Sequence, residues 1–323
     1  MGWPVTLGSD IVSDLESAIR REWLVTNGRG SYAFGTVAGI ATRSYHGLLV
    51  AALDAPVGRT VLVRGLAEWA TVAGQRVALH AHEYADGTID QAGFQRLLSF
   101  RLDGLLPVFT YAVGDTLIER RIWAAAGADT TYIRYAVSGG DRTIELSLTP
   151  LVTWSDHHAL GHETDGAPTV SVTGGSAAIV QPPNGRSPYR LLAPGGMFEP
   201  YGRWFRGFRH REETARGLQD VSDAYAIGEV RASIAPGRPF TLILTTETER
   251  PMEPEVALGA AVKRQDELLR TARAHDGSPL LRGLVLAADQ FLVARDIPVD
   301  DGVDHGRTVI AGYPWFNDGA ATR

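Results

Sequence analysis

The chain contains no cysteine. That excludes a disulfide framework and any thiolate metal site, so stability has to come from packing, and the redox compartment is left open. Long apolar runs are missing too. No segment approaches the roughly 18 consecutive apolar residues that a membrane helix requires, and no basic stretch followed by an apolar run opens the N-terminus. The expected location is therefore the cytoplasm, with no membrane partner. Positive charge is scarce as well. Against 37 Asp and Glu stand 31 Lys and Arg, a net charge of −6, which gives no electrostatic reason to bind nucleic acid and suits a neutral or polar partner better.

What is present is enough apolar material for a full core. At 323 residues and 44% hydrophobic content, the chain is expected to hold one large domain and part of another. Met1-Gly2 with Thr6 formally fits a myristoylation pattern. No basic neighbour supplies the second signal that stable anchoring needs, so the pattern is set aside.

From residue 5 to about 250 the pattern is that of short strands. Thr60–Val63, Gln75–Leu79, Thr116–Trp123 and Thr131–Val137 alternate or run apolar between turn residues, and many such strands in series predict a large antiparallel β-sandwich. Hairpin turns are expected at Ala73-Gly74, at Val113-Gly114-Asp115 and at Ser138-Gly139-Gly140-Asp141. The Gly-, Pro- and Ala-rich stretch from Gly174 to Gly196 reads as a loop inside the β region. After Pro251 the pattern turns helical. One helix is expected from Pro254 to about Ala274 and a second from Pro279 to Arg295, with Leu281, Leu284, Val285, Ala288, Phe291 and Leu292 on one face. We therefore divide the chain into 1–250, a β-sandwich domain, and 251–323, a linker helix and the start of a helical domain. So short a helical piece has nothing to cover its apolar face, which suggests truncation.

Chemistry concentrates near the N-terminus, in Glu22-Trp23-Leu24-Val25-Thr26-Asn27-Gly28-Arg29-Gly30 through Gly39 and then Thr42-Arg43-Ser44-Tyr45-His46-Gly47. The glycine spacing is wrong for a dinucleotide loop. Aromatic, amide and guanidinium groups among glycines suit sugar binding, where ring faces meet pyranose CH groups and polar groups meet hydroxyls. The alternative is a buried turn in which Tyr45 and His46 are satisfied core residues. Asp156-His157-His158 with His162, Glu163 and Asp165 could suggest a metal site, but Gly161, Gly166 and Pro168 make it a loop, and a solvated His/Asp loop is the expectation. Arg203 to Arg211 alternates cations with aromatics. In an acidic chain this reads as a strand with its aromatic face inward and its arginines paired with Glu212, Glu213 or other carboxylates. No nucleophile–base order and no assignable acid–base pair of carboxylates appears before residue 300, so no catalytic residue is assigned, and no metal or cofactor is expected.

The order of Glu22–Gly28, Gly35–Gly39 and Thr42–Val50 resembles the opening motif of the bacterial and archaeal glycogen-debranching family, the amylo-α-1,6-glucosidases. The resemblance continues through Gln95–Phe100, Pro107–Tyr111, Pro150–Val152 with His157-His158, Arg216–Asp220 and Leu286–Val293, so it spans essentially the whole chain. It implies an N-terminal super-sandwich followed by a six-hairpin α/α barrel that removes α-1,6-linked branch stubs from glycogen or limit dextrin, here with only the first one or two barrel helices. The implied partners are an α-glucan and the missing barrel. Trp23, Asn27, Arg43, Tyr45, His46, Trp315 and Asp318 are the candidates for glucan binding or for that interface.

Family members run through a stretch similar to Arg307–Asp318 into Trp-Gly-Arg-Asp-Thr-Met-Ile, whose Asp is thought to be catalytic. Here Asp318 is followed by Gly319-Ala320-Ala321-Thr322-Arg323. Deleting one thymine from the Trp codon of GC-rich DNA for Asp-Trp-Gly-Arg-Asp-Thr-Met-Ile gives Asp-Gly-Ala-Ala-Thr-Arg-stop. The hypothesis is a frameshift, and any other coding sequence around codon 318 would sink it. Two further readings stay open. One is a carbohydrate-binding or interaction module, and the other an aggregation-prone or subunit-pairing face over residues 281–292 that trimming at about 250 would remove.

Overall fold

The computed structural model describes residues 5–299, 302–313 and 315. Its strands are those in which apolar side chains recur at every second residue, and they assemble into two large antiparallel sheets. The first has nine strands in the order Thr6–Gly8, Leu97–Asp103, Leu106–Val113, Thr116–Ala124, Thr130–Ser138, Phe240–Thr245, Tyr189–Leu192, Ala177–Gln181 and Thr169–Thr173. The second runs Met197–Arg209, Val221–Ile234, Ile144–Asp156, Val57–Val72, Gly47–Asp54, Tyr32–Thr36 and Glu22–Thr26, with Gln75–Ala78 added to the long Val57–Val72 strand.

The inner faces of the sheets share one apolar core, the β-sandwich that the pattern of short strands predicts. Trp23 of the second sheet meets Phe109 of the first edge-on at 6.0 Å. Tyr189, also from the first sheet, donates its hydroxyl to the carbonyl of Leu62 at 3.0 Å. Buried tyrosines can sit between sheets because each hydroxyl finds such an acceptor.

Two of the three expected hairpins form. Ala73 and Gly74 both take positive φ (50° and 81°), the geometry of a two-residue hairpin turn, and Gly114 (φ 62°) turns Leu106–Val113 into Thr116–Ala124. The third site differs. Ser138–Asp141 does not return the chain to its neighbour, because Thr130–Ser138 lies in the first sheet and Ile144–Asp156 in the second, so this glycine pair carries a crossover between sheets. The stretch from Gly174 to Gly196 is also more than a loop. It contains the strands Ala177–Gln181 and Tyr189–Leu192, second and third from the sheet's edge, where the ladder compensates for small side chains of weak strand propensity.

Beyond residue 250, Pro254 opens a helix to Thr271 and Pro279 a second to Asp289, its N-cap Ser278 accepting from the N–H of Leu281 at 3.2 Å. Proline suits the first helical turn because its missing N–H would have no helical partner there. Both helices lie against the sandwich. Tyr132 donates to the carbonyl of Met252 at 2.9 Å, Gln265 accepts from the N–H of Leu105 at 2.9 Å, and Gln290 donates to the carbonyl of Leu24 at 2.7 Å. Arg264 and Asp289 join the helices to each other in a two-point ion pair at 2.5 and 3.0 Å. The second helix stops earlier than expected. From Leu292 the chain forms a hairpin, Leu292–Val299 with Gly302–Val309, fixed to the sandwich where Ala294 N–H donates to the carbonyl of Gly28 at 2.8 Å. Among the described residues no helix is long and apolar enough to cross a membrane.

Candidate functional site

The turn after the Tyr32–Thr36 strand is organised by His46, which is 1% exposed. Its Nδ1 accepts from the backbone N–H groups of Thr42 at 3.1 Å and Arg43 at 3.4 Å. An accepting Nδ1 leaves the ring proton on Nε2, which donates to Glu22 Oε1 at 3.0 Å. Burial holds the His46 pKa below its ordinary value although Glu22 pulls the other way, so the ring is neutral. Burial would raise the Glu22 pKa, but hydrogen bonds from His46 and Arg43 outweigh it and keep the group ionised.

Arg43 extends this network to the surface. Its Nε donates to Glu22 Oε1 at 2.7 Å, its Nη2 lies 3.5 Å from Glu212, and its guanidinium sits 5.4 Å from the centre of the Trp315 ring. Trp315 is 36% exposed, so the pair presents an aromatic face and a cation side by side. Two residues along, Tyr45 is buried, and its hydroxyl shares a hydrogen bond with His158 Nδ1 at 3.1 Å. The backbone N–H of Ser44 donates to Glu213 at 3.1 Å, and Arg216 holds the other oxygen of that carboxylate at 3.1 Å. The short helix Arg211–Ala215 thereby clips the turn in place.

The structure thus brings Arg43, Tyr45, His46 and Trp315 together at one end of the second sheet. Two other candidates are turned inward. Trp23 is 5% exposed, lies across Gly35, and spends its indole N–H on the carbonyl of Thr36 at 3.1 Å. Asn27 is 4% exposed; its amide donates to Asp129 at 2.7 Å, and its oxygen accepts from the N–H groups of Arg29 at 2.8 Å and Ser31 at 3.1 Å. Neither reaches the Arg43–Trp315 surface, and both brace the glycine turn. Asp318 lies outside the described residues.

The expected solvated loop at Asp156–His158 is corrected at His157. Its side chain is fully buried, its backbone N–H donates to the carbonyl of Arg59 at 3.0 Å, and its ring centre lies 4.1 Å from that of His158, tilted by 42°. Burial, then His158, pushes the His157 pKa down to about 4. His162 stands apart, its N–H donating to Asp165 at 2.8 Å. The Arg203–Arg211 stretch is a strand as expected up to Arg209, and three of its arginines pair with other carboxylates, as expected. Arg206 pairs with Glu163, Arg209 with Glu83, and Arg211 with Glu83 and Glu16.

Sequence reasoning missed Glu22, Glu213 and His158 as members of the site. The i,i+3 spacing of Glu213 and Arg216 was a visible signal for an ion pair, but Ser44 lies 169 residues from Glu213, a separation no local pattern reports. Chemically the site offers an exposed ring, a guanidinium, a phenol and an ionised carboxylate. That set suits hydroxyl recognition better than proton donation, since an ionised carboxylate is no general acid.

Residues 21–241 match the family model described as the glycogen debranching enzyme N-terminal domain. A solved bacterial glucoamylase complexed with acarbose is similar at 9% identity and a TM-score of 0.35, covering 84% of this chain and 37% of that one. The chain thus spans little more than a third of that protein's length. No curated protein matches the chain.

Proposed function

Since the chain belongs to the glycogen debranching enzyme N-terminal family, with 21–241 of its residues matched, we propose that it is the N-terminal part of an enzyme hydrolysing α-1,6-glucosidic branch points of glycogen or limit dextrin. In this reading the sandwich binds or positions glucan, and residues 251–323 begin a second, catalytic domain. The family match is the observation that carries it. Glycoside hydrolysis needs one carboxylic acid to protonate the glycosidic oxygen and a second carboxylate to activate water or attack the sugar. Without that pair, residues 1–323 alone have no acid–base step, and binding by itself cannot replace it. The test is glucose release from a branched dextrin by the purified chain. None is expected, and measurable release would refute the assignment of catalysis to a second domain.

A second reading, a carbohydrate-binding module, is favoured by the exposed Trp315 ring with Arg43 over it. Retention on immobilised glycogen should fall in Trp315→Ala and in Arg43→Ala. Tyr45→Ala should lower it as well, by releasing His158. Equal retention in all three variants would remove this patch from any glucan contact.

A further inference from the structure

A cavity of about 70 Å³ lies against the second sheet, with Arg120 reaching it from the first, room for several waters or a small organic ion. It lies behind the Arg43–Trp315 surface, with His46 part of its wall, and is lined on the inside by charged groups, including Arg64, Glu68, His82, Glu83, Arg120 and Arg209. Arg64 and Glu68 both come from the Val57–Val72 strand, whose register against Ile144–Asp156 shifts at Arg64, between Val63 and Gly65.

The ion pairs in this cavity leave one cation over. Both oxygens of Glu68 are taken, one by Arg120 Nη1 at 2.5 Å and the other by the Tyr135 hydroxyl. Glu83 receives Arg211 Nε at 2.5 Å and lies 3.6 Å from Arg209. Arg64 is 6% exposed and pairs with no carboxylate among the described residues. Its Nη1 makes only long contacts, 3.4 and 3.5 Å, to the carbonyls of Ser44 and His46. Its Nε and Nη2 have no partner among the described residues. Those two atoms form one edge of the guanidinium, the planar fork that fits two oxygens of a carboxylate. His82 is 9% exposed, and its Nε2 is likewise without a partner.

We propose that this cavity is a binding site for a short organic monocarboxylate, held two-point by Arg64 Nε and Nη2 with His82 beside it. A single negative charge matches the excess of three lining arginines over two lining glutamates. Carbon makes up much of the remaining wall, at Trp23, Phe34, Leu66, Leu151 and Phe208, beside Thr36, His46 and His80. A small alkyl group is at home against that carbon, and one carboxylate takes up the free edge of Arg64 without bringing in the second charge of a phosphate. Burial pushes the Arg64 pKa down to about 10, which leaves it cationic at neutral pH and carrying the cost of an unpaired buried charge that a bound anion offsets. Gly39 is exposed and Leu48, Gly65 and Arg209 are half-buried on the cavity's lining, so a small ion has a way in from that side.

The test uses the full chain and sodium acetate, with sodium chloride and sodium phosphate at matched ionic strength as controls. The Arg64 Nε–H resonance should shift saturably with acetate, and the thermal midpoint should rise with acetate concentration as binding to the folded state requires. Arg64→Lys keeps the charge but not the fork and should weaken acetate by about tenfold or more. If that variant does not fold, the native Nε titration decides alone. A response to acetate no different from chloride, a saturable response to phosphate only, or full acetate affinity in folded Arg64→Lys would each overturn the proposal.

Discussion

Arg120 Nη1 lies 2.5 Å from Glu68 Oε2, an ion pair that crosses the sandwich from the nine-stranded sheet to the Val57–Val72 strand. Burial disfavours the charge on Arg120, but Glu68 outweighs that and raises its pKa. Tyr135 donates to the second oxygen of the same carboxylate, so one glutamate ties two strands of the opposite sheet. Removing one member of such a pair strands the other away from water. Glu68→Gln should cost about 3–5 kcal/mol in urea unfolding. The double variant Glu68→Gln with Arg120→Met should cost less than the sum of the singles. Strict additivity would show that the pair contributes nothing as a pair.

Much of this arrangement was legible beforehand. The Thr116–Ala124 strand that carries Arg120 alternates, and the Val57–Val72 strand that carries Glu68 runs apolar at Val61–Val63, so both could be read as strands from pattern, but the register shifts of the second could not. What could not be read is which strand faces which. Ser138-Gly139-Gly140-Asp141 carries the same turn chemistry as a hairpin yet crosses between sheets, because the choice depends on the partner strand and not on the turn. Leu292–Val299 has a composition that a helix would also accept, and it becomes a strand through pairing with Gly302–Val309. At the site, the dense Glu22–His46 motif marked the right turn. Its inward residues, Trp23 and Asn27, were indistinguishable from its outward one, Arg43, until Phe109 and Asp129 were placed beside them.

Acid should destabilise the fold early. Burial depresses the pKa values of His46, His80 and His210, and takes His82 to about 3 and His157 to about 4, from an ordinary 6.5. On unfolding, each regains its ordinary affinity for a proton. Between pH 6.5 and the depressed values the unfolded state therefore binds more protons, and stability is lost as pH falls through that window, by up to about 1.4 kcal/mol per pH unit for each histidine. Urea midpoints at pH 7 and pH 5 measure this, and His82→Phe should flatten the slope. Equal midpoints at the two pH values would contradict the neutral state of these rings.

The glycines of the N-terminal motif should differ sharply in tolerance. Gly28 and Gly30 both adopt positive φ, 74° and 107°. A Cβ on Gly28 would meet nothing within 4 Å, whereas on Gly30 it would lie 2.3 Å from the carbonyl oxygen of Pro56. Gly28→Ala should cost about 1 kcal/mol from backbone strain alone. Gly30→Ala adds a clash with backbone that cannot swing aside and should cost roughly 3 kcal/mol or more. Similar unfolding midpoints for the two variants would mean that the Pro56 segment yields.

The second helix keeps its apolar leucines outside. Leu280, Leu281 and Leu284 are 54%, 45% and 59% exposed, while Leu286 packs with Leu269 and Ala274, and Asp289 holds Arg264 of the first helix. Leu281→Lys with Leu284→Lys should therefore change stability by no more than about 0.5 kcal/mol and reduce self-association in light scattering. Trimming the chain at residue 250 removes this face as well, but it also strips cover from the sandwich. Ala257 closes the cluster of Trp123 and Tyr132, whose rings stack at 5.1 Å, and Val293, Ile310 and Tyr313 cover Tyr32, Phe34, Val50 and Val61. Against the sequence-based expectation, residues 1–250 should scatter more light than the full chain, and the double lysine variant less. If the trimmed chain stays monomeric and unfolds at the same midpoint, the last 73 residues contribute nothing to the sandwich.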